Sequence, residues 1–181
     1  MVVAAGCGFG SPKYSVAGLV EIRPDNSAGL CSPVASLVPG ASCLFVVPLK
    51  NVDVSKLPRA GTLDDGSLAT PPLLLTGTLT DAGLSLTEVP TRAAKITDVP
   101  QPDVPNSGKF PNAMPDKAVR DQQRLMADST KLRAKGIWVA ESGWSNAGFH
   151  VTLVAADQEK IGYIKSNYSA NVVVGWMKPV G

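Results

Sequence analysis

The residues most able to do chemistry surround a serine that stands between two glycines. The run Gly143-Trp144-Ser145-Asn146-Ala147-Gly148 nearly matches the Gly-x-Ser-x-Gly nucleophile elbow, but Ala147 stands where the second glycine must be. The elbow also requires a strand-to-helix turn, whereas this run lies between two predicted strands. The sequence therefore favours a hairpin loop over a serine hydrolase.

Position 150 holds the single histidine of the chain. Histidine is a general acid or base at neutral pH, and Glu141 could pair with it across the predicted hairpin. A zinc site needs further cysteine or carboxylate ligands at suitable spacing, and none accompany His150. We therefore interpret His150 as a surface or edge residue, and no metal or other cofactor is predicted for this chain.

Three aspartates lie in segments that resemble turns. Paired carboxylates can cleave glycosides and clustered ones can bind calcium. Asp64 and Asp65 precede Gly66, and Asp81 stands between Thr80 and an alanine-glycine pair. Turn formation accounts for residues of these types at such positions, so no catalytic residue is predicted among them.

The three cysteines indicate a disulfide and one spare thiol. Cys31 and Cys43 are separated by proline, glycine and serine residues that allow the two ends of the loop to meet. A bridge between them would contribute about 3 kcal/mol in the chain-entropy model, and disulfides persist in oxidising compartments. The alternative is two buried thiols in a cytosolic protein. An odd cysteine in a secreted chain needs its own explanation, and here that residue is Cys7.

The residues before Cys7 suggest a reason for this unpaired cysteine. Ala4-Ala5-Gly6-Cys7 resembles the lipobox of bacterial lipoprotein signal peptides, in which an apolar residue and two small residues precede the cysteine that is acylated. Ala4 stands where leucine is usual, and the basic region and most of the apolar region are missing, as expected if Met1 lies within a longer signal peptide. The resemblance implies a lipid such as palmitate on Cys7. The alternative is an apolar N-terminal strand with a buried cysteine.

Turn residues and prolines predict how the chain is divided into domains. We predict a lipobox remnant and tether at 1–13, a β domain at 14–96, a proline-rich linker at 97–115 and an α+β module at 116–181. In the β domain, two apolar runs flank Thr80-Asp81-Ala82 and predict a hairpin. Short strands with frequent turns suggest a small barrel or sandwich.

The C-terminal part predicts the order α-β-β-α-β. A helix should begin after Pro115 and end before Gly136, and Asp157 should cap a second helix. The crossover connection should make the last two strands parallel, so that helices cover one face of a three-stranded two-layer sandwich. The fold class is thus α+β, with an N-terminal β barrel or sandwich. Asp116 to Val180 resembles small modules in secreted bacterial proteins, including protease pro-regions.

Two surfaces of this module are candidates for binding. The first is an exposed aromatic surface for a partner or ligand, with core packing as the alternative; it comprises Trp138, Trp144, Trp176 and Met177. The second is the basic first helix, which either is solvated or contacts anionic headgroups or wall polymers; its cations are Lys117, Arg120, Arg124, Lys131, Arg133 and Lys135.

The balance of charged residues excludes one class of function. The chain has 17 basic and 15 acidic residues and a net charge of +2, which is too balanced for a dedicated nucleic-acid binder. We therefore predict a non-enzymatic, extracytoplasmic lipoprotein that is held at the membrane through Cys7 and binds an envelope protein or wall polymer. The alternative is a protease-associated pro-region or an inhibitor-like module.

Overall fold

The computed structural model describes residues 12–31, 43, 46–93, 115–145 and 148–180. The described strands of the first half are β1 Lys13–Gly18, β2 Val20–Ile22, β3 Ala28–Cys31, β4 Val46–Lys50, β5 Gly61–Thr62, β6 Leu68–Ala69, β7 Leu73–Thr80, β8 Gly83–Leu86 and β9 Thr91–Arg92. The second half contains α1 Asp116–Ala127, α2 Ser129–Ala134, β10 Val139–Ser145, β11 Gly148–Ala155, α3 Gln158–Tyr168 and β12 Val172–Pro179.

The strands form one mixed, 12-stranded sheet. Its order is β10-β11-β12-β1-β7-β8-β4-β3-β2-β6-β5, and β9 pairs with β7 away from this path. β11 and β12 are parallel, as are β4 and β8, and the other described pairings are antiparallel. The two halves of the chain join where Tyr14 and Ser15 of β1 pair with Pro179 and Lys178 of β12.

The predicted fold class is wrong. We expected a small N-terminal β barrel or sandwich and a separate C-terminal α-β-β-α-β two-layer sandwich, but the molecule is a single mixed sheet with three short α-helices in its described part. The physical reason is the free edge of β12. Unpaired backbone groups at a sheet edge readily accept another strand, and β1 supplies that strand. The predicted linker, apart from Pro115, lies outside the described residues.

Two apolar cores flank the C-terminal strands. The helix-side core lies between the helices and one face of the sheet and includes Leu125, Leu132, Phe149, Val151, Leu153 and Ile164. The shared core joins both halves of the chain and includes Val16, Leu30, Leu75, Leu84, Trp138, Val154, Trp176 and Met177. Alternation along β11 explains the division, because successive side chains of a strand point to opposite faces.

Local signals place the helices and hairpins. Asp157 caps α3 by accepting a hydrogen bond from the Lys160 N–H at 2.8 Å, as predicted. Gly136 adopts a left-handed φ of 71° after α2. The predicted first helix is divided at Asp128 into α1 and α2.

Across the described residues, no helix is both long and apolar enough to span a membrane.

Candidate binding site

The predicted disulfide between Cys31 and Cys43 is confirmed, with a Cα–Cα distance of 5.4 Å. Glu21 is buried beside it and accepts hydrogen bonds from the Cys43 N–H at 2.9 Å and from Arg23 Nε at 3.0 Å. Glu21 and the two sulfurs lie close enough to suggest a metal site, but bridged sulfurs are not the thiolates that bind metals. Cys7 lies outside the described residues.

The residues predicted to form an aromatic contact surface do not come together at the surface. Trp138 and Trp176 are only 2 % and 1 % exposed, and Met177 is also buried. All three pack in the shared core, because the N-terminal strands cover the sheet face opposite the helices. Trp144 is partly buried against the helix-side core.

The serine-containing run is a hairpin connection, as predicted. β10 ends at Ser145, and Gly148 begins β11 opposite it. Gly148 has a left-handed φ of 99°, and a Cβ there would collide with Asn171. Asn171 Oδ1 in turn accepts a hydrogen bond from the Phe149 N–H at 2.9 Å. Asn146 and Ala147 lie outside the described residues.

The predicted turn aspartates also serve local structure. Asp65 accepts a hydrogen bond from the Ser67 N–H at 2.9 Å, next to Gly66 with its left-handed φ of 83°. Asp81 lies in the turn of the predicted β7–β8 hairpin, which the structure confirms.

A β-bulge places a polar cluster on β10 and β11. The register shifts between Val139 and Glu141, after which Glu141 lies opposite Thr152 and Gly143 lies opposite His150. Bulges redirect side chains and are frequent beside functional sites. Gly143 is required here, since a Cβ would lie 2.7 Å from Cε1 of the His150 ring.

The polar cluster is buried and unsatisfied. His150 is 8 % exposed and lies on β11 between two other strands, so the expectation of a surface or edge histidine is wrong. Burial lowers the pKa of His150 and raises the pKa of Glu141. Among the described residues, four buried side-chain atoms have no hydrogen-bond partner: Trp176 Nε1 on β12, and three atoms of this cluster, Glu141 Oε2, His150 Nδ1 and Thr152 Oγ1. Most buried polar groups are partnered, so this cluster is unusual.

The cluster does not form a catalytic triad. A general-base histidine is oriented by a hydrogen bond from its second ring nitrogen to an acid, and His150 Nδ1 makes no such bond to the described residues. The predicted pairing of His150 with Glu141 is likewise not formed. The chemistry that the cluster offers is hydrogen bonding by unpaired polar groups.

The two buried groups should make the stability of the fold depend on pH in opposite directions. Lowering the pH below 6.5 should destabilise the fold through His150, and raising it above 4.5 should destabilise it through Glu141. The lowered pKa of His150 means that the unfolded chain is protonated first as the pH falls below 6.5, so stability is lost there. The raised pKa of Glu141 means that its neutral form stabilises the fold at low pH, and this contribution disappears as the pH rises above 4.5.

His150→Gln should therefore reduce the loss of stability below pH 6.5, and Glu141→Gln should reduce the loss above pH 4.5. Urea unfolding across pH measures both slopes. Profiles that run parallel to that of the parent protein would contradict the assignment of these slopes to the two buried groups.

A cleft of about 330 Å³ opens beside the bulge, between β10 and the helices α1 and α2. It is lined by Gln122, Leu125, Met126, Ser129, Arg133, Val139, Ala140, Glu141 and Ser142. β10 ends the strand order, so within the described part of the chain its outer edge faces no other strand. Instead, Gln122 Nε2 donates to the Ser142 carbonyl oxygen at 3.2 Å.

A second cleft, of about 310 Å³, lies among loops near Asp53 and Lys56. Two of its charged residues already pair with each other, because Asp53 lies 3.1 Å from Lys56 and also accepts hydrogen bonds from Ser55. The cleft beside β10 differs in presenting a free backbone edge and the guanidinium group of Arg133, which forms no ion pair with any described residue. It is therefore our candidate binding site.

Lys117 is a possible nucleophile that the sequence did not indicate, because one of its two partners, Ser169, is 52 residues away along the chain. Lys117 Nζ lies 2.5 Å from Ser169 Oγ and 2.6 Å from Asp121 Oδ2. A lysine becomes an effective nucleophile when it is desolvated. The Lys117 side chain is 65 % exposed instead, and its charge is paired with Asp121. The Lys117 side chain instead connects the first turn of α1 to Ser169, the residue that follows α3.

No family model, curated protein or solved structure matches this chain.

Proposed function

We propose that this chain is a lipid-anchored protein of the bacterial cell envelope that binds a partner and catalyses no reaction. The observation that carries the proposal is the Cys31–Cys43 disulfide, because such bonds persist outside the reducing cytosol. The bridge uses two of the three cysteines. Cys7, at the end of the lipobox-like run, remains for acylation.

A lipid on Cys7 would hold the protein at the membrane. A single acyl chain binds membranes only marginally, and stable anchoring requires a second signal. Bacterial lipoproteins carry more than one chain. The proposed location is therefore the outer side of a membrane, with the folded part of the chain facing the envelope.

The site supports binding by a protein partner. The cleft beside β10 offers a free strand edge, an apolar wall and the guanidinium group of Arg133, which has no ion pair among the described residues. The basic helix is less suited to a polyanionic wall polymer, because several of its cations are paired within the chain. These pairs are Lys117–Asp121, Arg124–Asp121 and Lys131–Asp128.

The protease pro-region and the inhibitor-like module were the alternatives from the sequence. A loosely packed C-terminal strand would favour the pro-region. β12 instead pairs with β11 and β1, and its Trp176 is buried in the shared core. We therefore propose the binding protein alone.

Metabolic labelling with an alkyne analogue of palmitate tests the anchor in cells that express the gene with its own upstream sequence. The parent protein should carry the label and sediment with membranes, and Cys7→Ser should abolish both. The double variant Cys31→Ser/Cys43→Ser is the matched control, since it also removes cysteines but should keep the label. Label retained by Cys7→Ser, or free thiols at Cys31 and Cys43 in the exported protein, would overturn the proposal.

A further inference from the structure

We propose that the cleft beside β10 binds an extended, acidic segment of a partner polypeptide, which adds to β10 as a new strand and places a carboxylate on Arg133. This inference deepens the proposed binding function and rests on it. Three features of the cleft carry the inference: the backbone edge of β10, the apolar wall of α1 and the guanidinium group of Arg133.

The backbone edge is directed into the cleft. The Ser142 carbonyl oxygen accepts its hydrogen bond from Gln122 of α1, which lies across the cleft from β10. In an antiparallel ladder, the N–H and C=O of one residue point to the same side, so the Ser142 N–H also faces the cleft. The Gln122 amide makes long contacts, of 3.2 Å to the Ser142 carbonyl and 3.4 Å to the hydroxyl. An incoming strand can replace these contacts with main-chain hydrogen bonds.

The helix wall can accept side chains from such a strand. Leu125 is buried at the base of the wall, while Met126 is 58 % exposed. Methionine adapts to varied apolar partners because it is unbranched and polarisable. Every second side chain of an added strand would point to the same side, which suits a segment that alternates apolar and polar residues.

Arg133 supplies the charge preference. Its guanidinium carbon lies 4.6 Å from the centroid of the Trp138 ring, which fixes the side chain. Lys117, Arg124 and Lys131 all pair with carboxylates of the helices, but Arg133 forms no ion pair with any described residue. A fixed guanidinium group with free N–H donors matches a carboxylate in two-point geometry.

Glu141 lies on the strand side of the same cleft and does not pair with Arg133. The cleft thus favours a polypeptide, because a lipid headgroup has no row of backbone groups to pair with β10.

The full chain can be tested with a displayed library of random peptides of the length of β10. The selected peptides should alternate apolar and polar residues around an Asp or Glu. In fluorescence anisotropy, Arg133→Gln should weaken the best peptide by about tenfold or more. Replacing the acidic residue of the peptide by its amide should have a similar effect. The two changes together should be less than additive, since they remove the same contact.

Arg120→Gln is the matched control, because Arg120 is an exposed cation of α1 that does not line the cleft. Arg133→Lys keeps the charge, loses the two-point geometry and should fall between the parent and Arg133→Gln. Backbone N-methylation of the peptide at alternate residues should abolish binding.

Several outcomes would overturn the inference: selection without acidic enrichment, equal binding by Arg133→Gln, or equal binding of the N-methylated peptide. Binding to phosphatidylglycerol vesicles through Arg133, without peptide binding, would assign the cleft to anionic headgroups. Any of these results with palmitate labelling of Cys7 intact would refute the cleft inference and leave the proposed lipid anchor standing.

Discussion

Trp138→Ala should lower the free energy of unfolding by about 3–5 kcal/mol, as expected for truncating a fully buried tryptophan. Trp138 follows α2 but packs in the shared core with residues of the N-terminal strands. Its Nε1 also donates a hydrogen bond to the carbonyl oxygen of Thr80, the last residue of β7, at 2.9 Å. The side chain therefore connects the two halves of the chain. Urea denaturation followed by far-ultraviolet circular dichroism measures the effect.

A pair of phenylalanine variants separates the hydrogen bond from the packing. Trp138→Phe and Trp176→Phe remove the same atoms from the same core. Trp176 Nε1 has no partner among the described residues, so only Trp138→Phe loses a hydrogen bond. We expect Trp138→Phe to be more destabilising by about 0.5–1.5 kcal/mol. Equal effects would contradict the assigned role of the Trp138–Thr80 bond.

The same variants report on cooperativity. Because the shared core takes residues from both halves of the chain, Trp138→Ala should shift one unfolding transition in which all strands participate. Separate transitions, with the N-terminal strands unaffected, would show that the halves unfold independently.

The second large effect concerns the disulfide. Cys31→Ser/Cys43→Ser should lower the free energy of unfolding by about 3 kcal/mol, because the bridge restricts the unfolded chain. Buried Glu21 adds to this effect, because its carboxylate accepts a hydrogen bond from the Cys43 N–H as well as one from Arg23. Loss of the fixed position of Cys43 would leave that carboxylate with one contact fewer.

Urea unfolding with and without dithiothreitol measures the contribution of the bridge. The reductant should destabilise the parent protein and leave the double serine variant unchanged. Cys7→Ser is the control, because the bridge does not use Cys7, and its unfolding curve should match that of the parent. Equal stability of the parent protein with and without reductant would contradict the prediction.

The sequence determined the features that depend on neighbours along the chain. Turn residues predicted the β7–β8 hairpin and the connection from β10 to β11, and Asp157 predicted the start of α3. The pairing of Cys31 with Cys43 was also predictable, since the short loop between them contains residues that turn easily. Each of these features follows from the backbone preferences of a few adjacent residues.

The tertiary structure alone decided which edges and faces meet. Alternation along β12 divides its side chains between two faces, but it does not state what covers each face. Pairing of β1 with β12 brought the N-terminal strands against Trp138 and Trp176, which turned a predicted aromatic surface into core. The strand order also leaves β10 at the edge of the described sheet, where its backbone lines a cleft with α1. Residues distant in sequence make these contacts, so their positions depend on the packing of the whole sheet.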